Sequence, residues 1–280
     1  MISLERAQRG RPQSEETPGR SPGGQRPAPG TPVSSPIDDH LVSLVAPGGF
    51  EAEQYRSLRH ALEKRSRGQG LTVIAVSSSV PGEGKTTTAI NLAGALAQAS
   101  EERVLLVDAD LRVSSAGVRL GLEEDAPGLA EALVDPGIGL SSILRFRQPY
   151  NLTILPAGKR PDAPYELLRQ PRLGEIMHEA RLQFDYVVVD TPPLLPIPDS
   201  RILGRWVDGF VLVVAAHRTP RELLREALDL MEPDKVVGLV LNGDDRPLAG
   251  YYGYGHYAGY PGYGGTSGDG RNDATRHGSR

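Results

Sequence analysis

The sequence predicts an α/β fold in which a mostly parallel sheet carries helices on both faces. Short apolar runs rich in Val, Ile and Leu alternate with helical patterns along the middle of the chain. The first of these runs leads into a glycine-bearing loop and then into a helix, which is the start of a strand–helix–strand unit. Continuous apolar strands of this kind are typical of parallel sheets that are covered on both sides.

The predicted elements follow one another in a regular order. A helix over Phe50–Arg65 precedes the first strand, because Tyr55, Leu58 and Leu62 recur at helical spacing. The predicted strands are Leu71–Ser77, Arg103–Asp108, Leu152–Leu155, Tyr186–Asp190, Phe210–Ala215 and Val236–Leu241. The helices between them are predicted over Thr86–Gln98, Tyr165–Arg169, Arg172–Arg181 and Arg221–Met231.

Composition divides the chain into three parts. From Gly10 to Pro36, 18 of 27 residues are Gly, Pro, Ser or Thr, which leaves too little apolar surface to offset the entropy of ordering. From Gly250 to Gly265, 13 of 16 residues are Gly or Tyr. We therefore expect a disordered leader over residues 1–40, a single folded domain over 41–248 and a flexible Gly/Tyr-rich tail over 249–280.

Composition also excludes several classes of function. The net charge of −4 argues against non-specific binding to nucleic acid, so we expect no nucleic-acid partner. The absence of cysteine excludes a catalytic thiol and is compatible with a reducing cytosol. The longest strongly apolar runs, Leu71–Val76 and Phe210–Ala216, are far shorter than the roughly 18 residues that span a bilayer. We expect a cytoplasmic protein, since Met1–Gly10 also shows no secretory signal.

The loop after the first strand carries a phosphate-binding pattern. Residues 79–86 fit G-x-x-x-x-G-K-[ST], except that Ser79 replaces the leading Gly. Gly82 and Gly84 let the backbone curl so that successive N–H groups face inward, while the Lys and Thr that follow reach the phosphates and Mg²⁺. The pattern predicts a nucleoside triphosphate site in a P-loop NTPase-like fold. The candidate ATP-binding residues in this loop are Pro81, Gly82, Glu83, Gly84, Lys85, Thr86 and Thr87.

Three carboxylates at predicted strand ends complete the candidate site. Asp190 directly follows an apolar run, and Asp108 and Asp110 close another. Open parallel sheets bind ligands at this edge, although a strand-end Asp can also simply cap a turn. One of the closely spaced pair can bind metal while the other accepts a proton, and the sequence leaves that assignment open. The candidate metal ligands are Thr86, Asp108 and Asp190, and the candidate catalytic residues are Lys85, Asp108, Asp110 and Asp190.

Asn242 follows the last predicted strand and bears on the choice of base. Asn242-Gly243-Asp244-Asp245 superficially matches the guanine-reading N-K-x-D, but Gly243 stands where Lys is required. We favour adenine, with Asn242 as a candidate ATP-binding residue at a base edge. A plain Asn-Gly turn is an equally good interpretation of the same residues.

Several segments together resemble the cytoplasmic kinase domain of bacterial tyrosine kinases of the CpsD, CapB and Wzc type. These segments are Ser77–Ala93, Val104–Arg112, Phe184–Pro193 with Asp199 beyond it, and Val236–Asn242. The resemblance implies an ATP- and Mg²⁺-dependent protein tyrosine kinase that autophosphorylates its C-terminal tyrosines in trans. It also implies a role in regulating capsular and exopolysaccharide synthesis and export.

The alternative is a positioning ATPase of the MinD/ParA class, which is built on the same fold. The loop of that class carries an additional early Lys in the pattern K-G-G-x-G-K-T, whereas Val80 and Pro81 occupy the first two positions here. In that alternative the Gly/Tyr tail would only mediate assembly. Beside a phosphoryl-transfer site, the clustered tyrosines are better interpreted as phosphoacceptors. The candidate phosphoacceptors are Tyr251, Tyr252, Tyr254, Tyr257, Tyr260 and Tyr263.

The resemblance also implies partners. Glu53, Arg56 and Arg59 match the family's E-x-x-R-x-x-R pattern, which is implied to join subunits of a ring-like homo-oligomer. We favour this interface over the simpler interpretation, local pairing on a solvated helix face. The family pattern often continues Asp-x-Arg with Arg-Pro, whereas Val113 follows Arg112 here. We expect a separate transmembrane activator of the polysaccharide co-polymerase type that recruits this chain to the inner face of the cell membrane.

Overall fold

The computed structural model describes residues 31–33, 35–99, 102–124 and 126–244. The first 30 residues of the predicted leader lie outside this part of the chain. The predicted tail over 249–280, with all six candidate phosphoacceptor tyrosines, also lies outside it.

The described residues form one eight-stranded sheet. Its strands are β1 Thr31–Val33, β2 Val73–Ser78, β3 Val104–Asp108, β4 Arg145–Arg147, β5 Leu152–Leu155, β6 Tyr186–Asp190, β7 Gly209–Ala215 and β8 Val236–Asn242. The order across the sheet is β1-β4-β5-β3-β6-β2-β7-β8. Every neighbouring pair is parallel except β4 and β5. This confirms the predicted α/β class with a mostly parallel sheet.

The helices in this part of the chain range from one turn to five turns. They are α1 Val42–Val45, α2 Phe50–Gln69, α3 Lys85–Ala97, α4 Ala116–Arg119, α5 Leu129–Val134, α6 Leu140–Ile143, α7 Pro164–Leu168, α8 Pro171–Gln183, α9 Asp199–Leu203 and α10 Arg221–Asp229. The five helices predicted from sequence correspond to α2, α3, α7, α8 and α10. The sequence prediction missed the others because a helix of four to six residues is too short to show a period of 3.6.

Helices cover both faces of the sheet, as predicted, because the strand residues alternate between two apolar cores. Val73 and Ala75 of β2 point into a core that contains α5 to α9. Ile74 and Val76 of the same strand point into the opposite core with α1 to α4. A strand that is buried on both faces has no polar side to expose, which explains the unbroken apolar runs of the sequence.

Described residues just before residue 41, which the sequence analysis assigns to the leader, make contacts with the sheet and with α3. Strand β1 pairs in parallel with β4 at the edge of the sheet. The N–H of Asp38 donates to the Arg119 carbonyl at 3.0 Å, and the Asn91 side chain donates to the His40 carbonyl at 3.0 Å. The composition argument counted apolar side chains, whereas main-chain hydrogen bonds hold much of this segment, and such bonds do not depend on side-chain type.

The centre of the sheet sets the position of the functional site. β3, β6 and β2 are neighbours, and their carboxyl ends lie together at one edge. Asp108 at the end of β3 is in register with Asp190 at the end of β6. The loop that leaves β2 enters α3 at the same edge. One end of the sheet therefore collects the glycine loop and the strand-end carboxylates.

Candidate functional site

The loop between β2 and α3 has the backbone conformation that its glycines predict. Gly82 and Gly84 have φ angles of +81° and +95°, a region that residues with a Cβ rarely adopt. Gly84 immediately precedes the first residue of α3, and a Cβ at this position would overlap the side-chain amide of Asn242. Lys85 and Thr86 then open the helix, whose N-terminal N–H groups are suited to binding phosphate.

Asn242 at the end of β8 and Thr219 after β7 support this loop through contacts with its residue Glu83. The Glu83 side chain is buried and accepts hydrogen bonds from the Val80 N–H at 3.1 Å and from the Thr219 hydroxyl. The Asn242 amide donates to the Glu83 carbonyl at 2.9 Å. Glu83 and Asn242 were both predicted to bind ATP, and the contacts of their side chains here are with the protein. Sequence analysis did not predict Thr219, because it follows β7 and reaches the loop only in the folded chain.

Lys85 lies among the three predicted carboxylates. Its ammonium is 2.8 Å from an oxygen of Asp110 and 3.7 Å from an oxygen of Asp190. Burial lowers the pKa of Lys85, but the attraction of Asp190 and Asp110 outweighs burial, so the pKa is raised and the side chain is cationic. The structure therefore assembles all four predicted catalytic residues at one place.

Asp108 and Asp110 make different contacts although they are two residues apart. Asp108 accepts backbone hydrogen bonds from Asp110 and Ala116, at 3.2 and 3.1 Å. Burial, together with the nearby charge of Asp190, raises the pKa of Asp108 to about 8. Asp110 accepts N–H bonds on one oxygen and faces Lys85 with the other. Asp108 thus shapes the turn, while Asp110 points a carboxylate oxygen at the ammonium.

Asp190 is a buried carboxyl group that lacks a hydrogen-bond donor among the residues that the structure describes. Neither of its carboxyl oxygens accepts a hydrogen bond from any residue that the structure describes, although the side chain is fully buried. Burial raises the pKa of Asp190, and the nearby Lys85 opposes that shift. A buried carboxylate without donors is an arrangement that a bound cation would satisfy. The residues present therefore fit an Mg²⁺ ion held by Asp190 and Thr86 together with phosphate and water oxygens.

No set of three or more His, Asp or Glu side chains within the described ranges is arranged to hold a metal by itself. Magnesium in nucleotide sites keeps several waters and binds mainly to phosphates, so one or two protein ligands are enough. Asp108, the third predicted metal ligand, has both oxygens occupied by backbone N–H groups.

Thr87 makes a contact that the sequence did not predict. Its hydroxyl accepts a hydrogen bond from the Arg119 guanidinium at 2.7 Å. Arg119 also lies 3.8 Å from Asp38, so the first turn of α3 is linked to the segment that precedes α1. Arg119 belongs to a helix of four residues without a recognisable motif, which is why sequence reasoning missed it.

The three predicted interface residues lie on α2 and have partners within their own chain. Glu53 accepts a hydrogen bond from Arg56, which also donates to the Pro47 carbonyl. Arg59 pairs with Glu63 at 3.1 Å and donates to the Ala95 carbonyl at 2.9 Å. The simpler of the two interpretations, local pairing, is therefore present in the monomer.

Comparison with known proteins identifies the family. Residues 71–214 match the AAA domain family. Tyrosine-protein kinase YwqD of Bacillus subtilis is 33% identical over 222 residues, which cover 79% of this chain and 92% of the relative. This chain belongs to the bacterial tyrosine kinase family. Tyrosine-protein kinase CpsD of Streptococcus agalactiae is 34% identical over 66% of this chain and 80% of its own. The predicted resemblance is thereby confirmed.

Solved structures agree with membership of the bacterial tyrosine kinase family. The kinase domain of the Escherichia coli tyrosine kinase ETK superposes with a TM-score of 0.69 at 27% identity and covers 76% of this chain and 84% of its own. MinD of Pyrococcus horikoshii, at 22% identity and a TM-score of 0.53 over 63% of this chain and 72% of its own, shares the fold. Some relatives are much longer. The chain spans 27% of the succinoglycan biosynthesis transport protein ExoP of Rhizobium meliloti, at 36% identity over 75% of this chain.

Among the residues that the structure describes, none of the helices combines the length and the apolar character needed to span a bilayer.

Proposed function

We propose that this chain is an ATP- and Mg²⁺-dependent protein tyrosine kinase. It transfers the γ-phosphoryl group of ATP to tyrosines of its own C-terminal cluster, from Tyr251 to Tyr263, on neighbouring copies of the chain. Its role is to regulate the synthesis and export of capsular polysaccharide or exopolysaccharide. The relatives named as tyrosine kinases, and the polysaccharide transport protein among them, support this assignment.

One observation carries the proposal: a single ammonium, that of Lys85, lies among three buried carboxylates beside a glycine loop. Phosphoryl transfer requires a positively charged group beside the phosphates, a metal site and a group that accepts the proton of the hydroxyl. The loop with Lys85 supplies the first, Asp190 with Thr86 the second, and Asp110 the third.

Each residue of the site has a separate role in the reaction. The N–H groups of the loop and Lys85 bind the phosphates and hold the γ-phosphorus in line with the tyrosine oxygen. As the new P–O bond forms and the bond to ADP breaks, Asp110 accepts the phenolic proton. Asp108 holds the turn that aims Asp110. Mg²⁺, held by Asp190 and Thr86 when bound, neutralises charge on the phosphate oxygens.

The tail and the partners follow from the same proposal. A glycine-spaced tyrosine cluster presents one hydroxyl after another to the site of a neighbouring subunit, and each phosphate adds up to about two negative charges. Glu53, Arg56 and Arg59 exchange their intrachain partners for residues of the next subunit in a ring-like oligomer. A transmembrane activator docks at the nucleotide edge, recruits the chain to the inner face of the membrane and completes the site.

The experiment is mass spectrometry of the tail peptides after the purified chain is incubated with Mg·ATP, alone and with a cytoplasmic fragment of a candidate activator. We expect phosphate on Tyr251–Tyr263, lost in Lys85→Ala and retained in Lys159→Ala, which removes an exposed lysine that belongs neither to the glycine loop nor to the carboxylate cluster. ATP hydrolysis without phosphotyrosine under both conditions would overturn the proposal in favour of a positioning ATPase with an assembly tail.

A further inference from the structure

An ion pair between a buried carboxylate and a partly exposed guanidinium connects two segments beside the site. Asp199 is the first residue of α9 and has no exposed surface. One of its oxygens accepts a hydrogen bond from Nε of Arg112 at 2.7 Å, and the other accepts one from a terminal nitrogen of the same guanidinium at 3.1 Å. Bidentate pairs of this kind fix geometry as well as charge. None of the roles assigned above uses this pair.

Arg112 belongs to the turn that carries Asp110. One oxygen of Asp110 accepts the backbone N–H groups of Arg112 and Val113, at 3.3 and 3.0 Å. The other oxygen faces the Lys85 ammonium at 2.8 Å. The turn is anchored by β3 at one end and by the Arg112 side chain at the other. Any movement of Arg112 would therefore be transmitted to the Asp110 carboxylate.

The segment that leads to Asp199 is itself fixed to the end of β2. The N–H of Leu194 donates to the Ser78 carbonyl at 2.9 Å, and the Ser77 hydroxyl donates to the Pro192 carbonyl at 2.8 Å. β2 also leads into the glycine loop, so Asp199 shares a rigid base with the phosphate-binding residues.

We infer that Asp199 is a positioning residue for phosphoryl transfer: through Arg112 it holds the Asp110 carboxylate in reach of Lys85. The inference rests on the proposed function, in which Asp110 accepts the tyrosine proton. Asp199 touches neither nucleotide nor tyrosine. Its removal should slow the chemical step while leaving the binding of nucleotide intact.

The chain offers a matched control at the other end of the same two strands. Arg103 precedes β3 and Asp185 precedes β6, and their pair is also bidentate, at 3.0 and 3.1 Å. The exposed fraction is 32% for both the Arg103 and the Arg112 side chains. Asp185→Asn therefore breaks a bidentate Asp–Arg pair at the amino ends of β3 and β6, away from the site, where the carboxylate is 16% exposed against 1% for Asp199.

The test compares Asp199→Asn with Asp185→Asn in the full chain. An amide keeps one acceptor and places a donor against the guanidinium, so each variant loses its bidentate pair. For Asp199→Asn we expect kcat for tail phosphorylation to fall about 10- to 100-fold with KM for ATP within about threefold of wild type, since a misplacement near 1 Å has an effect of that size. Asp185→Asn should keep kcat within about twofold, and Asp199→Glu, which retains the carboxylate, should recover part of the rate.

Hydrogen–deuterium exchange gives a readout that does not require activity. In Asp199→Asn the amides of Arg112 and Val113 should exchange faster, because the turn loses its outer anchor. In Asp185→Asn their exchange should match the wild type. Equal kcat and equal exchange in the two variants would overturn the inference, and so would a rise in KM for ATP that accounts for the whole loss of rate.

The outcomes separate this inference from the proposed function. If the wild-type chain hydrolyses ATP but forms no phosphotyrosine, the proposed function fails. In that case Asp199 has no role in tyrosine phosphorylation. Faster exchange of the Arg112 and Val113 amides in Asp199→Asn alone would still establish that Asp199 anchors the turn that carries Asp110. If the wild type phosphorylates its tail and Asp199→Asn does so at the same rate, the proposed function stands and the inference fails.

Discussion

Opposite charges are balanced at the amino ends of the central strands and unbalanced at their carboxyl ends. At the amino ends, Asp185 pairs with Arg103, and Asp208 pairs with Arg181 while accepting the N–H groups that open β2. Each of these carboxylates has its own guanidinium. At the carboxyl ends, three carboxylates lie around the single ammonium of Lys85.

This difference separates stability from function. At the amino ends the hydrogen bonds favour the ionised carboxylate and contribute to folding. At the carboxyl ends the excess of buried negative charge is unfavourable in the free protein, and it becomes favourable when a ligand brings positive charge. Unbalanced, buried titratable groups of this kind are characteristic of functional sites. Under the proposed function, stability is given up at the site that binds the magnesium–nucleotide complex.

The comparison would be tested most severely by Asp190→Asn. We expect tail phosphorylation to fall roughly 100- to 1,000-fold, because the carboxylate that fits the metal is removed. The unfolding free energy of the nucleotide-free chain should fall little, since Lys85 keeps its closer partner Asp110 and one of the buried carboxylates around a single ammonium disappears. Quantitative phosphotyrosine blotting and urea unfolding measure the two effects, with Asp185→Asn as the control at the amino end. A variant that keeps more than a tenth of the wild-type rate would contradict the role of Asp190.

Asp208→Asn tests the amino ends of the strands, where each carboxylate is paired with a guanidinium. Burial raises the pKa of Asp208, but the hydrogen bonds from Arg181, Val73 and Thr72 outweigh burial and hold the pKa below its ordinary value of 3.8. We expect a loss of about 1–3 kcal/mol in unfolding free energy at pH 7, because several donors lose a charged acceptor. Phosphorylation per folded molecule should not change.

The unfolding free energy at low pH provides the check on the prediction for Asp208→Asn. A depressed pKa in the folded state gives stability that is present above pH 4 and is lost as the pH falls through the folded pKa. The loss of unfolding free energy in Asp208→Asn, measured by urea unfolding, should therefore be smaller at pH 3 than at pH 7. A difference that is the same at both pH values would show that the charge of Asp208 contributes nothing.

A pH dependence of opposite sign is expected at the carboxyl ends. The pKa of Asp108 is about 8 in the folded chain against an ordinary value of 3.8, so between these values the folded state keeps a proton that the unfolded state has lost. Stability of the nucleotide-free chain should therefore fall as the pH rises, by at most about 1.4 kcal/mol per pH unit.

Thermal unfolding between pH 5 and pH 8.5 measures this slope. Asp108→Asn should flatten it, and saturating Mg²⁺ with ADP should reduce it, because bound positive charge favours the ionised carboxylates. A wild-type slope of zero without ligand would remove the electrostatic contrast between the two ends of the strands.

Much of the fold could be predicted because the relevant signals are local. The strands Leu152–Leu155 and Tyr186–Asp190 have the predicted bounds, and the other four predicted strands shift by one or two residues. β1 and β4 were missed, since three residues show no alternation and their pairing depends on the sheet edge. The glycine loop and the strand-end carboxylates were visible from spacing alone.

The sequence by itself determined the class of fold, the phosphate-binding loop and the residue types at the strand ends, because each depends on neighbours within a few positions of the chain. Only the tertiary structure decided how the charges are shared. It placed Lys85 against Asp110, left Asp190 without a hydrogen bond from the described residues, and paired Arg112 with Asp199. Electrostatic energies depend on distance and burial, and the residues concerned lie 25 to 114 positions from Lys85 in the sequence but meet at one edge of the sheet.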